Sequence, residues 1–323
     1  MAERLAERLK RVRRESGTVG AMVRMTSNLV AQAGRAVANG ADRVTLRTPM
    51  RWLTQPTISA LLESNARFAD RHSGETCIIL GTGPSLKSVD ISQFAHVPLF
   101  TVNQGFLFCE ARGIRPDYAV VVDEMYFTPN FVPFMRDLLS FCAARDTLLF
   151  ANVSGHAAMT TLEAAKSVDL AWLHPIMRSR LWETHGRPVP IELTAAQPGY
   201  ESVIHAAIVV ALYMGFSRIV LIGCDMDYHV RPHEVYRHAY DDSPYIADNR
   251  PVAELFEEGQ VDLMARALCE YRAFAALGRL AHGRGQEIIN ASAGGYLDVY
   301  PRVPLDKAIG IAGGEEQDRS AAV

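Results

Sequence analysis

Two stretches of this chain carry residue types that could do chemistry. The first is Gly81-Thr82-Gly83-Pro84-Ser85-Leu86, directly after the apolar run Cys77-Ile78-Ile79-Leu80. Glycines at that spacing can take positive φ and leave backbone N–H groups open to a ligand, because no Cβ blocks the approach. Such a turn at a helix N-terminus suits a phosphate or another anion. The same residues would equally serve a tight strand-to-helix turn with no ligand. The stretch is not the dinucleotide pattern GxGxxG, and it lacks the Lys-Ser/Thr of a Walker loop.

The second stretch is rich in acids, imidazoles and phenols: Asp225, Asp227, His229, His233, Glu234, Tyr236, His238, Tyr240, Asp241 and Asp242. An imidazole in such company could deprotonate a hydroxyl, with a carboxylate to orient it. The set could also hold a divalent metal for phosphoryl transfer, although its spacing matches no dedicated metal motif. A polar surface loop with ordinary histidines is the third reading. The leading one is a lid carrying the base, His238 or His233, with Asp227 as the carboxylate.

The elements that must position these residues follow from the hydrophobic pattern. Apolar, β-branched runs at Cys77–Leu80, Pro98–Val102, Tyr118–Val122, Leu148–Ala151, Ile219–Ile222 and Glu287–Asn290 predict strands. Helical periodicity at Phe131–Ala144, Ser202–Met214 and Val261–His282 separates several of them. Buried strands alternating with helices predict an α/β fold, a Rossmann-like, mostly parallel sheet with helices on both faces. Ligands of such sheets collect beyond the carboxyl ends of the strands. The residues found there are Gly81 to Ser85, then Asn103 and Gln104, then Asp123 and Glu124, and then Gly223 to His229. Polar groups at four strand ends predict one shared cleft.

The whole chain limits the function classes. It has 323 residues and a formal net charge of −3, which argues against binding nucleic acid through overall charge. Its five cysteines are scattered with no C-x-x-C pair, the pattern of buried thiols in a reducing cytoplasm. No secretory leader pattern and no bilayer-length apolar run occur in it, so the expected location is the cytoplasm. Residues 1–72 read as an N-terminal helical extension and linker. There Leu5, Leu9 and Val12 fall at helical spacing among Arg4, Arg8, Lys10, Arg11, Arg13 and Arg14, while Pro49 and Pro56 mark the linker. A thin apolar face of that kind fits a solvated helix; contact with the inner membrane face is the alternative. Residues 73–312 read as the catalytic domain, and 313–323 as a disordered tail. Arg178, Arg180 and Arg187 form a basic stretch, read mainly as a solvated face.

Gly81 to Asp90, followed by Val102-Asn103-Gln104-Gly105-Phe106, resembles the opening of the family 42 sialyltransferases and of the related flagellin motility accessory factor proteins. Tyr213 to Asp225 is similar to their second block. The same blocks, with Gly113 to Asp117 and Asp123, also resemble a family containing 6-hydroxymethylpterin diphosphokinases. The resemblance spans about residues 75 to 300. The sialyltransferase side implies a glycosyltransferase that takes a nonulosonate-type sugar from a CMP-activated donor to a glycan or protein acceptor, with no required cofactor. By position it implies nucleotide contacts from Gly81, Thr82, Gly83, Ser85, Asn103, Gln104, Asp123 and Asp225, and phosphate contacts from Tyr228 and Tyr236. Ser202 stands near that family's serine, although Gly199-Tyr200-Glu201 departs from its pattern. The family's catalytic histidine would fall between Glu257 and Met264, where this chain has none. The diphosphokinase side implies Mg-dependent transfer from ATP, and magnesium belongs to that alternative alone. A non-catalytic binding scaffold is the remaining expectation. An oligomeric assembly is compatible with all three.

Overall fold

The computed structural model describes residues 56–176, 190–235, 237–240, 244–245, 251–255, 257 and 259–310. All of them belong to the unit Met50–Val323. The basic N-terminal stretch, the arginines at 178, 180 and 187, Tyr236, Asp241, Asp242 and the tail 313–323 lie outside the described residues.

Seven parallel strands form the central sheet: β1 (Thr76–Leu80), β2 (Leu99–Val102), β3 (Tyr118–Val121), β4 (Leu148–Asn152), β5 (Leu170–Leu173), β8 (Arg218–Ile222) and β9 (Glu287–Asn290). Their spatial order is β5-β4-β3-β2-β1-β8-β9. The chain starts in the middle at β1, steps outward to β5, then returns to pair β8 on the other side of β1. That reversal, with Leu80 opposite Ile222, makes β1 and β8 the switch point of the sheet. Every residue of β2, β3 and β4 is buried, which is why their sequences are continuous apolar runs rather than alternating ones. A separate parallel pair, β6 (Pro175–Ile176) and β7 (Gln197–Pro198), lies outside this sheet.

The helices are α1 (Pro56–Glu63), α2 (Gly105–Ala111), α3 (Val132–Arg145), α4 (His156–Met159), α5 (Val203–Tyr213), α6 (Gln260–Gly283) and α7 (Leu305–Gly310). The expected strands and the three long helices appear within a residue or two of their sequence-derived ends. The sequence reading passed over β5, a four-residue edge strand. Residues 56–72 were grouped with the extension, yet Leu62 and Phe68 are fully buried. Asn65 Nδ2 donates to the Trp172 carbonyl at 2.7 Å and the Leu193 carbonyl at 2.9 Å, fixing this segment beside β5. His72 stacks on Phe216 with ring centroids 4.4 Å apart.

Helix α5 is apolar on all sides, and Ile204 through Tyr213 are all buried. It packs against β1, β2 and β3 on one side and α6 on the other. One imidazole, His205, is enclosed in this layer edge-on to Phe274, with ring centroids 4.1 Å apart. Neither ring nitrogen has a hydrogen-bond partner among the described residues. Burial pushes its pKa down to about 3, and the nearby Glu270 backbone offsets only part of that. The unfolded chain therefore binds a proton near pH 6.5 that the folded chain refuses. His205 contributes full stability above that pH and progressively less as pH falls toward about 3. Over pH 6 to 4 its contribution to the slope is about 1.4 kcal/mol per pH unit. In urea unfolding over that range, His205→Leu should flatten the loss of stability by about this slope. An unchanged slope would mean that His205 does not stay neutral in the fold.

Candidate functional site

At the carboxyl ends of β1 and β8 two turns lie against each other. The Gly81 N–H donates to the Ile222 carbonyl at 2.7 Å, and the Gly83 N–H to the Gly223 carbonyl at 2.8 Å. A Cβ on Gly81 would fall 2.3 Å from Gly223 O, and one on Gly83 would fall 2.6 Å from Asp225 Cγ. This is the reason for both glycines, and it corrects the sequence expectation. Gly83 has φ −66° and Gly81 is not among the positive-φ glycines, so neither uses the left-handed region. Their amides are spent on β8 and its turn instead of facing a ligand. Ser85 is engaged in the same way. Its N–H donates to Asp225 Oδ2 at 2.8 Å and its hydroxyl to Asp225 Oδ1, so a carboxylate of the protein already occupies the place an anion would take.

Around this contact opens a cavity of 330 Å3. Thr82, Asn103 and Asp123 line it from β1, β2 and β3. Asp225, Met226 and Tyr228 follow β8, and Glu201, Ser202, Val203 and Ile204 come from the start of α5. His238 closes it from the acidic loop, and Arg266, Glu270 and Phe274 from α6. Four non-glycine residues have positive φ among the described residues, and two of them, Asn103 (45°) and Met226 (49°), are on this wall. Strained backbone of that kind persists only where the surroundings over-determine it, and it gathers at functional sites. Asn103 Nδ2 donates to Asp123 Oδ2 at 3.0 Å, whereas its Oδ1 is out of solvent with no partner among the described residues.

Of the four acids on the wall, Asp123, Asp225 and Glu270 are engaged by side-chain hydrogen bonds. Burial raises the Asp225 pKa, and the two Ser85 bonds oppose the rise. Glu270 is 4% exposed, and burial raises it too. It accepts from the Tyr228 hydroxyl at 2.7 Å and from Arg266 Nε at 3.0 Å. The phenol proton of Tyr228 is thus spent on Glu270 rather than offered to a phosphate. Among the described residues no three His, Cys, Asp or Glu side chains converge as a metal site would require. His238 Nδ1 lies 3.2 Å from Thr82 Oγ1, and the Ala239 N–H donates to the Thr82 carbonyl at 2.8 Å. The loop is therefore pinned onto the glycine turn. Burial lowers the His238 pKa below 6.5, which keeps the ring neutral at pH 7.

Of the residues expected at the site, the structure brings together Gly81, Thr82, Gly83, Asn103, Asp123, Asp225, Tyr228 and His238. Gln104 is 1% exposed and donates to the Tyr126 hydroxyl, away from the cavity wall. Its side chain is turned into the core because α2 begins at the next residue. His233 is exposed and does not line the cavity, and Asp227 pairs with Arg231 at 3.7 Å on the far side of Tyr228. Arg266 and Glu270 escaped the sequence reading. Their signal was an acid at a core position, since Leu263, Ala267, Glu270, Phe274 and Leu277 form one buried stripe of α6.

Fold and cavity together define a Rossmann-like α/β protein with a cavity at the switch point of its sheet. The chain belongs to the MptE-like family: residues 54–231, more than half of its length, match the family described as 6-hydroxymethylpterin diphosphokinase MptE-like. The match takes in the glycine turn, Asn103, Asp123, Asp225 and Tyr228, and it ends before His238, Arg266 and Glu270. No curated protein matches this chain. Among solved structures, a MAf glycosyltransferase from Magnetospirillum magneticum AMB-1 is 14% identical with a TM-score of 0.43. The alignment covers 76% of this chain and 38% of that one, so the chain spans well under half of that protein's length. A likeness that distant decides nothing about activity.

Gly81→Ala and Gly83→Ala test the contact between the two turns. Each should cost at least about 1–3 kcal/mol in chemical denaturation, because backbone of the Gly223 turn stands where the new methyl must go. Gly283→Ala, at the end of α6 with open space around it, should cost far less. Equal effects at all three positions would disprove the close-approach account.

Proposed function

We propose that this chain is a glycosyltransferase of the sialyltransferase-like kind, taking an acidic nonulosonate-type sugar from a CMP-linked donor to a glycan or protein acceptor. The observation that carries this reading is His238, held against Thr82 in the wall of the switch-point cavity, with its pKa lowered by burial. A neutral imidazole there can accept a proton at pH 7. The start of α5 offers the positive end of an eleven-residue helix to the leaving phosphate, with Ser202 capping it at the cavity wall. Asn103 Oδ1 needs a donor, and a base amino group or a sugar hydroxyl supplies one.

In this reading the acceptor hydroxyl gives its proton to His238 as its oxygen bonds the anomeric carbon. The bond from that carbon to the CMP phosphate oxygen breaks, and the electron pair leaves with CMP. Thr82 and the α5 N-terminus bear the charge that develops on the phosphate. Arg266 keeps Glu270 compensated in the same wall.

A second reading, Mg-dependent diphosphotransfer from ATP, has the family description and the acids Asp123, Asp225 and Glu270 in its favour. The acids do not fit a metal as they stand. Asp225 is tied to Ser85 and Glu270 to Arg266 and Tyr228.

Thermal unfolding against CMP, CDP, UDP, GDP, and ATP with and without magnesium separates these readings. A ligand at a hundred times its Kd stabilises the native state by about 2.7 kcal/mol, which amounts to several degrees. CMP should do this without metal. Stabilisation by ATP with magnesium alone would replace the glycosyl reading with the diphosphotransferase, and silence throughout would leave a binding scaffold. With a CMP-sugar donor, His238→Gln should lower the rate of donor cleavage by about 10²–10⁴ while CMP affinity stays within a few-fold. The wild-type rate should rise with pH through the lowered His238 pKa, below 6.5, and level off by pH 7; the variant should lack that limb. A variant that keeps the full rate removes His238 as the base.

A further inference from the structure

Beside the cavity lies a smaller recess of 160 Å3, walled by Pro84, Asp227, Arg231, Glu234, Val235 and Arg237 and sharing Tyr228 and Val252 with the cavity itself. Its charges are unequally committed. Arg231 Nε stands 3.7 Å from Asp227 Oδ2, and its Nη1 3.6 Å from Glu234 Oε2, so one guanidinium serves two carboxylates. The Asp227 side chain is only 9% exposed, and the Arg231 guanidinium is its partner in the wall. Arg237 is exposed on the same wall and makes no hydrogen bond or ion pair with any residue described.

We infer that this recess is the subsite for the second substrate, and that it takes the anionic group of that substrate, a carboxylate or a phosphate, on Arg237. The inference rests on the reading of the main cavity as the donor site only for which substrate counts as second. A guanidinium offers a planar fork of donors that matches two oxygens of either anion, and an uncommitted one beside a cavity can be recruited without breaking an existing ion pair. The volume is that of about five waters at ~30 Å3 each, enough for a charged head group or a single ring and too little for another nucleotide. Tyr228 and Val252 wall both spaces, so a group seated in the recess meets a donor seated in the cavity across one side chain.

The test titrates the full chain with two probes, inorganic phosphate and glucuronate, by calorimetry, without CMP and with CMP at saturation. Wild type should bind at least one probe, and should bind it with CMP present. Arg237→Gln should weaken that binding at least tenfold while changing CMP affinity less than twofold. Arg237→Lys, which keeps the charge and loses the fork, should fall between. Arg279→Gln, which removes an exposed arginine of α6 outside the recess, should match wild type. Phosphate bound alone identifies a phosphorylated acceptor, and glucuronate bound alone an acidic sugar. The inference is overturned if neither probe binds, if Arg237→Gln binds equally well, or if CMP displaces the probe. Arg237-dependent probe binding in a protein that ignores CMP would keep the anion subsite and sink the donor reading instead.

Discussion

Two backbones meet at the switch point of this sheet with no room for a side chain between them, and the site is built on that contact. Gly81 and Gly83 donate to the carbonyls of Ile222 and Gly223, and a methyl on either would enter the opposite turn. The left-handed Gly223 (φ 68°) turns the chain so that Asp225 caps Ser85. Behind it, the Tyr296 N–H donates to the Asp225 carbonyl, and Arg302 gathers the Ser292, Gly294, Gly295 and Leu297 carbonyls of that last loop. The strand ends are thereby locked into one rim. A cavity between β1 and β8 needs such a rim, because parallel strands by themselves end in unpaired backbone.

The polar groups of the rim are arranged so that few of them are left to solvent. Asp225 and Glu270 are acids whose pKa burial raises, and each is met by two donors that oppose the rise. His238 is the counterpart, an imidazole whose pKa burial lowers and which lies against Thr82. Groups driven in opposite directions thus stand within one cavity. The unpartnered oxygen of Asn103 and the left-handed φ values of Asn103 and Met226 are costs the fold bears at this one place. Their concentration on one wall fits a site that a ligand completes.

The family match and the cavity describe overlapping but different parts of the chain. Strands, glycine turn and strand-end polar residues fall inside residues 54–231, while His238 and the Arg266–Glu270 pair fall beyond them. The matched part supplies the cavity residues that follow β1, β2, β3 and β8. The remainder of the wall comes from the loop that carries His238 and from the first turns of α6. No described helix is long and apolar enough to cross a membrane, so the described residues hold no such anchor.

The sequence by itself determined the sheet and the gathering of its polar ends. Continuous apolar runs can be buried only in a parallel sheet covered on both faces, and residues that follow parallel strands must share one edge. Thr82, Asn103, Asp123 and Asp225 were legible on that ground, before any contact was known. The roles of the glycines were not, because positive φ and close approach ask for the same residue, and only the 2.3 Å between a Gly81 methyl and Gly223 O decides between them. The choice of His238 over His233, the turning of Gln104 into the core, and the joining of Tyr228 to Glu270 were tertiary decisions as well. Each depends on a partner far away in the chain, 156 residues for His238 with Thr82 and 42 for Tyr228 with Glu270. Local residue pattern reports the face an element buries, and it carries no record of which distant group comes to lie against it.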